Sequence, residues 1–331
     1  MPKVVINTKE AIEDAERFGG ILEENGFEID VPEDPRFRFG LTSDRELVDL
    51  LRGASAVVAG ATPYTSEVLQ ELPDLRVIAR TGVGFDRIDI DAATANNIVV
   101  TVTPNSNYEA VAEHAMALIF AIAKSVVTVD KNTRLGKWPN SPKKPIRDSV
   151  LGIVGLGRIG KSLAVRAQAM KMKIIASEAM PDNNFVEQHG IELVALNKLF
   201  ERADYISLHC PLNDETRGLI NNETLSLMKP EASIVNTARG GLIVEDDLVR
   251  ALKSGAIGSA GLDVFEQEPT SEDNPLYELD NVILSPHIAG SDSLSRQAMG
   301  LEAANCIIDL NKCRWPDGSV VNAELKGKWS W

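Results

Sequence analysis

Short apolar runs rich in β-branched residues alternate, from one end of the chain to the other, with stretches that are apolar at every third or fourth position. A parallel strand buried on both faces reads as a continuous apolar run and its crossover as an amphipathic helix, so this alternation predicts an α/β fold with parallel sheets. In the first half the predicted strands are VVIN (4–7), FEIDV (27–31), AVVA (56–59), RVIAR (76–80) and IVVT (98–101), with one helix ending near Asn25 and another near 43–52. The segment 107–129 is apolar at helical spacing through Val111, Ala115, Leu118, Ile119 and Ile122, with Asn107 placed to cap it. After Trp138 the stretch PNSPKKPIRDS reads as a loop, dense in proline and lysine. The pattern then restarts with VLGIVG (150–155), a helix from Arg158, KIIAS (173–177), YISLHC (205–210), ASIVN (232–236), GSAGLDV (258–264) and NVILS (281–285). A last helical pattern, 292–311, is placed to fold back onto the first half.

Composition narrows the class. A chain of 331 residues predicts two domains at roughly 150 residues each. The net charge of −14 argues against a nucleic-acid or anionic-membrane partner, since both require basic patches. No apolar run reaches the ~18 residues of a membrane span, and MPKVVINTKE lacks a signal-peptide pattern. Cys210, Cys306 and Cys313 sit in no CxxC or Cys/His cluster, so no metal site is expected and the thiols read as reduced, in a cytoplasmic protein.

Candidate chemistry begins at VGLGRIG (154–160), where a predicted strand runs into a helix through Gly155, Gly157 and Gly160. In a dinucleotide-binding turn the first glycine allows the tight bend, the second lets the backbone approach a pyrophosphate, and the third lets helix and strand pack closely. The helix N-terminus adds unpaired N–H groups and a partial positive charge. Such a turn predicts an acid about 20 residues on, at the end of the next strand. Glu178 ends KIIASE. Its carboxylate suits the ribose hydroxyls and repels a 2′-phosphate, and no arginine follows it, so NAD is favoured over NADP.

Three further residues sit in short motifs beyond predicted strands: Arg239 in NTARGG, Glu268 in DVFEQEP and His287 in SPHIAG. Taken singly they have plainer readings: a surface arginine, a loop acid before proline, a capping histidine. Taken in order they fit hydride and proton transfer. Oxidising a 2-hydroxy acid needs a base near neutrality, a carboxylate favours the charged imidazole that protonates a ketone, and a planar guanidinium suits a carboxylate.

With RTGVGFD (80–86), NYEAVAEHAMAL (107–118), GLGRIG (155–160), HCPLNDETRGLI (209–220), NTARGG (236–241), LDVFEQEP (262–269) and PHIAG (286–290), the chain resembles the D-isomer-specific 2-hydroxyacid dehydrogenases over nearly its whole length. This family includes phosphoglycerate dehydrogenase and hydroxypyruvate/glyoxylate reductase. The resemblance implies two doubly wound parallel-sheet domains: a Rossmann NAD-binding domain, 102–289, inserted in a flavodoxin-like substrate domain, 1–101 plus 290–331. It implies that Arg239 binds the substrate carboxylate and reacting oxygen, that His287 is the acid/base, and that Glu268 hydrogen-bonds it. Cofactor contacts carried over by motif are Gly155, Gly157, Arg158, Ile159, Gly160, Glu178, Cys210, Thr237, Ala238, Asp263 and Gly290, although a strand-end Asp263 also has a purely structural reading. Arg80, Gly82, Val83 and Gly84 correspond to the substrate-binding loop, or read simply as a glycine turn after a strand. His114 reads as packed or hydrogen-bonded within its helix.

The expected activity is therefore NAD-linked interconversion of a small 2-oxo acid and its D-2-hydroxy acid. Where phosphoglycerate-using members carry a basic residue near the third strand, this chain has Ala59-Gly60-Ala61-Thr62, which weakens that alternative without removing it. An NAD-sensing corepressor on the same scaffold is the rival of another class; such proteins usually carry disordered extensions, which are not seen here. Formate dehydrogenase pairs its histidine with glutamine, against Glu268. No regulatory domain is expected beyond the final helix. A homodimer is expected because the 111–127 helix is apolar on more than one face.

Overall fold

The computed structural model describes every residue except Lys9, Glu10 and Pro139, and only the backbone of Arg38 and Phe39. The chain forms two compact units, Met1–Asn107 with Ser291–Trp331, and Tyr108–Gly290.

The first unit holds strands β1 (Lys3–Asn7), β2 (Glu28–Asp30), β3 (Ala54–Ala59), β4 (Val77–Arg80) and β5 (Val99–Thr101). They pair in parallel in the order β2-β1-β3-β4-β5, the flavodoxin-like order. Successive side chains of a strand point to opposite faces, and both faces here are covered. Val4, Ile6, Ala56 and Val58 pack with Phe18, Leu22 and Ala303, Ala304 and Ile307 of the helix Ser293–Asn311. Val5, Val57, Ile78 and Val100 pack on the other face with Leu47, Val48 and Leu51 of the helix Asp44–Leu51. That helix begins with a reciprocal cap between Ser43 and Glu46.

The second unit holds β6 (Val150–Val154), β7 (Lys173–Ser177), β8 (Glu192–Leu193), β9 (Tyr205–Leu208), β10 (Ser233–Asn236), β11 (Ser259–Leu262) and β12 (Val282–Leu284). The order is β12-β11-β10-β9-β6-β7-β8, all parallel. This is the Rossmann order extended by a seventh strand, and it reverses direction between β6 and β9, where ligands bind beyond the strand ends in open α/β sheets.

The segment 107–129 does not form one helix. Ser125, in the left-handed conformation (φ 50°, ψ 39°), separates the helices Tyr108–Lys124 and Val126–Arg134, which are bent by 56°. The apolar spacing continues across the break, so spacing alone does not reveal it. Within its unit the first helix buries Ala112, Ala115, Leu118, Ile119 and Ala123 beside Leu163, Ala164 and Ala167 of the helix Arg158–Ala169. A Cβ at Gly261 of β11 would stand 3.1 Å from Leu118 Cβ and 3.2 Å from Ile122 Cδ1, so this glycine lets the helix settle onto the sheet. Packing inside the unit thus accounts for much of the helix's apolar character. Among the described residues no single helix is long and apolar enough to cross a membrane.

Candidate active site

At the reversal point β6 runs into Gly155, whose φ is +93°. A Cβ there would stand 2.6 Å from the Cys210 amide nitrogen and 2.7 Å from the His209 carbonyl carbon, backbone that cannot give way. A Cβ at Gly160 would run into the Gly155 carbonyl oxygen and stand 3.1 Å from Ile153 Cγ2. At Gly157 it would meet nothing within 4 Å. Two glycines are therefore fixed by the protein's own packing, and the third borders open space at the start of the helix Arg158–Ala169. Arg158 is exposed and Ile159 partly so. Glu178, just past β7, reaches back to the turn: its Oε2 accepts the Leu156 N–H at 2.6 Å and its Oε1 the Met180 N–H at 3.0 Å. The open space at Gly157, the helix start behind it and the carboxylate of Glu178 beside it fit a dinucleotide, its pyrophosphate at the turn and a ribose at the acid.

Opposite the turn, after β9, burial pushes the His209 imidazole down to about 3 and the Cys210 thiol up to about 11. His209 is thus a neutral ring at physiological pH, its Nε2 2.8 Å from Ser207 Oγ. Thr237 is buried, with Oγ1 making no hydrogen bond to the described protein atoms.

Three loops beyond β10, β11 and β12 carry the charged residues. Asn236, fully buried at the end of β10, clamps the first: its Oδ1 accepts the Ala238 N–H at 3.0 Å and its Nδ2 donates to the Arg239 carbonyl at 2.8 Å. Arg239 is half-buried and its Nη1 donates to the Ala238 carbonyl at 2.6 Å. A Cβ at Gly240 would run into the Phe265 carbonyl group, so the loop bearing Arg239 lies directly against the loop bearing Glu268. In that second loop Glu268 Oε1 accepts the Phe265 N–H at 3.0 Å, and Glu245 Oε1 takes the Glu266 N–H at 2.5 Å. Glu268 Oε2 lies 2.7 Å from His287 Nδ1. With Nδ1 so engaged, Nε2 is the ring nitrogen left to face a reactant. His287 holds a left-handed backbone (φ 53°), uncommon for a non-glycine residue and held here by its surroundings. Fully buried Asp263 supplies that surrounding: its carbonyl accepts the His287 N–H at 2.7 Å, and its carboxylate accepts the Ile288 and Ala289 amides at 3.0 and 2.8 Å. Gly290 ends this unit.

In the first unit Arg80 ends β4, and its Nη1 donates to the neighbouring Thr81 carbonyl. Gly82 has φ +136°. Its amide donates to Thr103 Oγ1, just past β5, at 2.8 Å, so in the turn Gly82–Gly84 this amide is already satisfied by the protein.

Residues 116–289 match the family model described as "D-isomer specific 2-hydroxyacid dehydrogenase, NAD binding domain". A glyoxylate reductase of Korarchaeum cryptofilum is 38% identical over 309 residues, covering 91% of this chain and 92% of that protein. The chain belongs to the D-isomer specific 2-hydroxyacid dehydrogenase family.

Among other family relatives, a D-3-phosphoglycerate dehydrogenase of Archaeoglobus fulgidus is 36% identical over 88% of this chain, which spans only 54% of that longer protein. The chain likewise spans about half the length of several other phosphoglycerate dehydrogenases it matches. The solved structure of an Aquifex aeolicus D-lactate dehydrogenase complexed with NAD and lactic acid superposes with a TM-score of 0.85 at 28% identity, covering 97% of this chain and 99% of that one. An acyclic imino acid reductase in complex with NADPH and D-arginine gives 0.84 at 29% identity, covering 96% and 99%.

Asn236, Glu245 and Ser285 were not among the expected site residues: Asn236 and Ser285 open the motifs NTARGG and SPHIAG but carry no charge, and Glu245 reads as one of three first-turn acids of the helix Glu245–Ser254. The signal at Asn236 is a polar amide closing an apolar strand three residues before Arg239.

Proposed function

We propose that this chain is an NAD-dependent oxidoreductase that interconverts a small 2-oxo acid and its D-2-hydroxy acid. The observation carrying the proposal is the 2.7 Å contact between His287 Nδ1 and Glu268 Oε2, in a loop that packs against the loop of Arg239. NAD, when bound, supplies or accepts the hydride. Arg239 binds the carboxylate and the reacting oxygen, where a planar fork of N–H donors suits a planar anion. His287 gives its Nε2 proton to the ketone oxygen in reduction and takes it back in oxidation, while Glu268 fixes the orientation of the ring. A purely NAD-sensing protein on this scaffold has no use for an imidazole aimed by a carboxylate and set in a left-handed backbone, which is why the enzyme reading is preferred.

NAD is preferred to NADP because the carboxylate of Glu178 stands at the turn, where it repels a 2′-phosphate. Gly155, Gly157, Arg158, Ile159, Gly160, Cys210, Thr237, Ala238, Asp263 and Gly290 are the remaining proposed cofactor contacts, and Arg80, Val83 and Gly84 the substrate contacts, with Gly82 shaping the turn. A non-phosphorylated substrate is favoured because Ala59-Gly60-Ala61-Thr62 carries no basic residue of its own, and the nearby Arg87 spends its Nη1 on the Ala61 carbonyl at 3.0 Å. We further propose a cytoplasmic homodimer. Its support is now the exposed apolar set Val126, Val127, Leu135 and Trp138 at and after the second helix, where Trp138 is 86% exposed. Oxidation of NADH and NADPH with a panel of 2-oxo acids tests the proposal. Expected is turnover of one or a few small 2-oxo acids with NADH, reduced at least 100-fold in His287→Ala. Absence of turnover with every acid would favour the binding-protein reading.

A further inference from the structure

The loop that carries His287 is held by more than its own strand. The amides of three successive residues, His287, Ile288 and Ala289, all donate to Asp263, the first to its carbonyl and the others to its carboxylate. That carboxylate also accepts the hydroxyl of Ser285, Oγ to Oδ1, at 2.6 Å. Ser285 Oγ in turn lies 2.9 Å from Nε2 of His114, which projects from the helix Tyr108–Lys124 and is 171 positions away in sequence. A serine hydroxyl has one proton, and here it is committed to Asp263. The oxygen therefore acts as the acceptor towards His114, and the His114 ring carries a proton on Nε2. The same nitrogen is 3.5 Å from Asp263 Oδ1, so the N–H and the O–H converge on one carboxylate oxygen.

We propose that His114 and Ser285 are positioning residues that fix the rotation of the Asp263 carboxylate and, through it, the left-handed backbone of His287. A carboxylate free to turn about its last bond satisfies the Ile288 and Ala289 amides only in some orientations. The hydroxyl and the imidazole N–H select the orientation in which both amides are met. Without them the loop relaxes towards an ordinary backbone conformation and Nε2 of His287 is misaimed, although Glu268 still reaches the ring. Misaiming acts on the proton-transfer step rather than on substrate capture, so the effect falls on kcat more than on KM.

The proposal rests on His287 being the acid/base, and the test separates the two. Ser285→Ala and His114→Phe remove the hydroxyl and the N–H, whereas Ser285→Thr and His114→Gln keep a hydroxyl and an N–H in place. Steady-state kinetics are read beside amide hydrogen exchange of residues 287–289 in the cofactor-free protein. The expected result is a tenfold or greater fall in kcat with KM within threefold, together with tenfold or greater faster exchange at those amides, in the first pair only. Unchanged exchange in Ser285→Ala and His114→Phe overturns the proposal whatever kcat does. Faster exchange with an unchanged kcat overturns it too, as does impairment of Ser285→Thr and His114→Gln equal to the first pair. Full activity in His287→Ala would instead defeat the acid/base assignment, while the exchange data would still decide whether His114 and Ser285 hold the loop.

Discussion

In each unit a central parallel strand ends in a glycine-bearing turn, after β6 at Gly155–Gly160 and after β4 at Gly82–Gly84, but their neighbours differ. A Cβ at Gly155 would meet backbone of the Cys210 turn at 2.6 Å, whereas one at Gly82 would meet the Arg80 guanidinium at 3.0 Å, the far end of a flexible side chain. The first turn is shaped by packing that nothing can relieve, and a carboxylate, Glu178, ties its amide at Leu156. The second spends one of its amides on Thr103. The comparison teaches that glycine spacing marks a turn in both places, yet only surrounding backbone and a partner acid turn the spacing into a dinucleotide fingerprint.

The largest effect belongs to the charged loops of the second unit. Arg239→Ala is expected to lower kcat/KM on the order of 10³-fold, about 4 kcal/mol of transition-state binding, while NADH binding followed by fluorescence titration persists. Retained turnover would place the carboxylate contact elsewhere, with Arg80 the next candidate. The glycine turns come next. Gly155→Ala combines a strained φ with a backbone collision and is expected to cost about 3–6 kcal/mol in a urea titration, against about 1–3 kcal/mol for Gly82→Ala. Equal losses would erase the distinction between the turns. Glu178→Ala is expected to shift the NAD-to-NADP preference by about tenfold, or 1.4 kcal/mol, read from kcat/KM with each cofactor.

The smallest effect lies at the opposite end of the same sheet. Burial raises the Asp204 carboxyl, but the Val150 N–H at 2.8 Å and Lys229 Nζ at 3.0 Å outweigh it and leave the group below its ordinary value of 3.8. A group depressed in the folded state stabilises above its unfolded value, and that stability is lost as pH falls through the folded one. Asp204→Asn is therefore expected to lower the urea midpoint at pH 7, the difference from wild type shrinking below pH ~4, with kcat unchanged. A change in kcat would contradict the assignment of this end of the sheet to stability alone.

Much of this was legible in the sequence because the signals were local. Apolar runs located the strands, since parallel strands covered on both faces are apolar throughout; only the two-residue edge strand β8, whose Glu192 and Leu193 are exposed, left no such mark. The acid Glu178 and the pair Glu268–His287 stand out as candidates because motif and chemistry coincide in a few adjacent residues, and their contacts with Leu156 and with each other are present in the structure. What was not legible depends on backbone direction or distant partners. Ser125 breaks a helix without glycine or proline, and Val126 and Val127 after it continue the apolar spacing while lying exposed. The Gly82 amide is claimed by a threonine 21 residues away. His114 read as a residue satisfied inside its helix, whereas its partner Ser285 arrives from the far edge of the sheet.

The central claim is that one imidazole, His287, serves both directions of a single reaction. The most direct test is the pH dependence of kcat/KM measured in both directions on the same preparation. Reduction needs the protonated ring and oxidation the neutral one, so the account predicts that reduction falls as pH rises and that oxidation falls as pH falls. His287→Ala should remove both limbs along with most of the turnover. Limbs that run in the same sense, or that persist in His287→Ala, would contradict it.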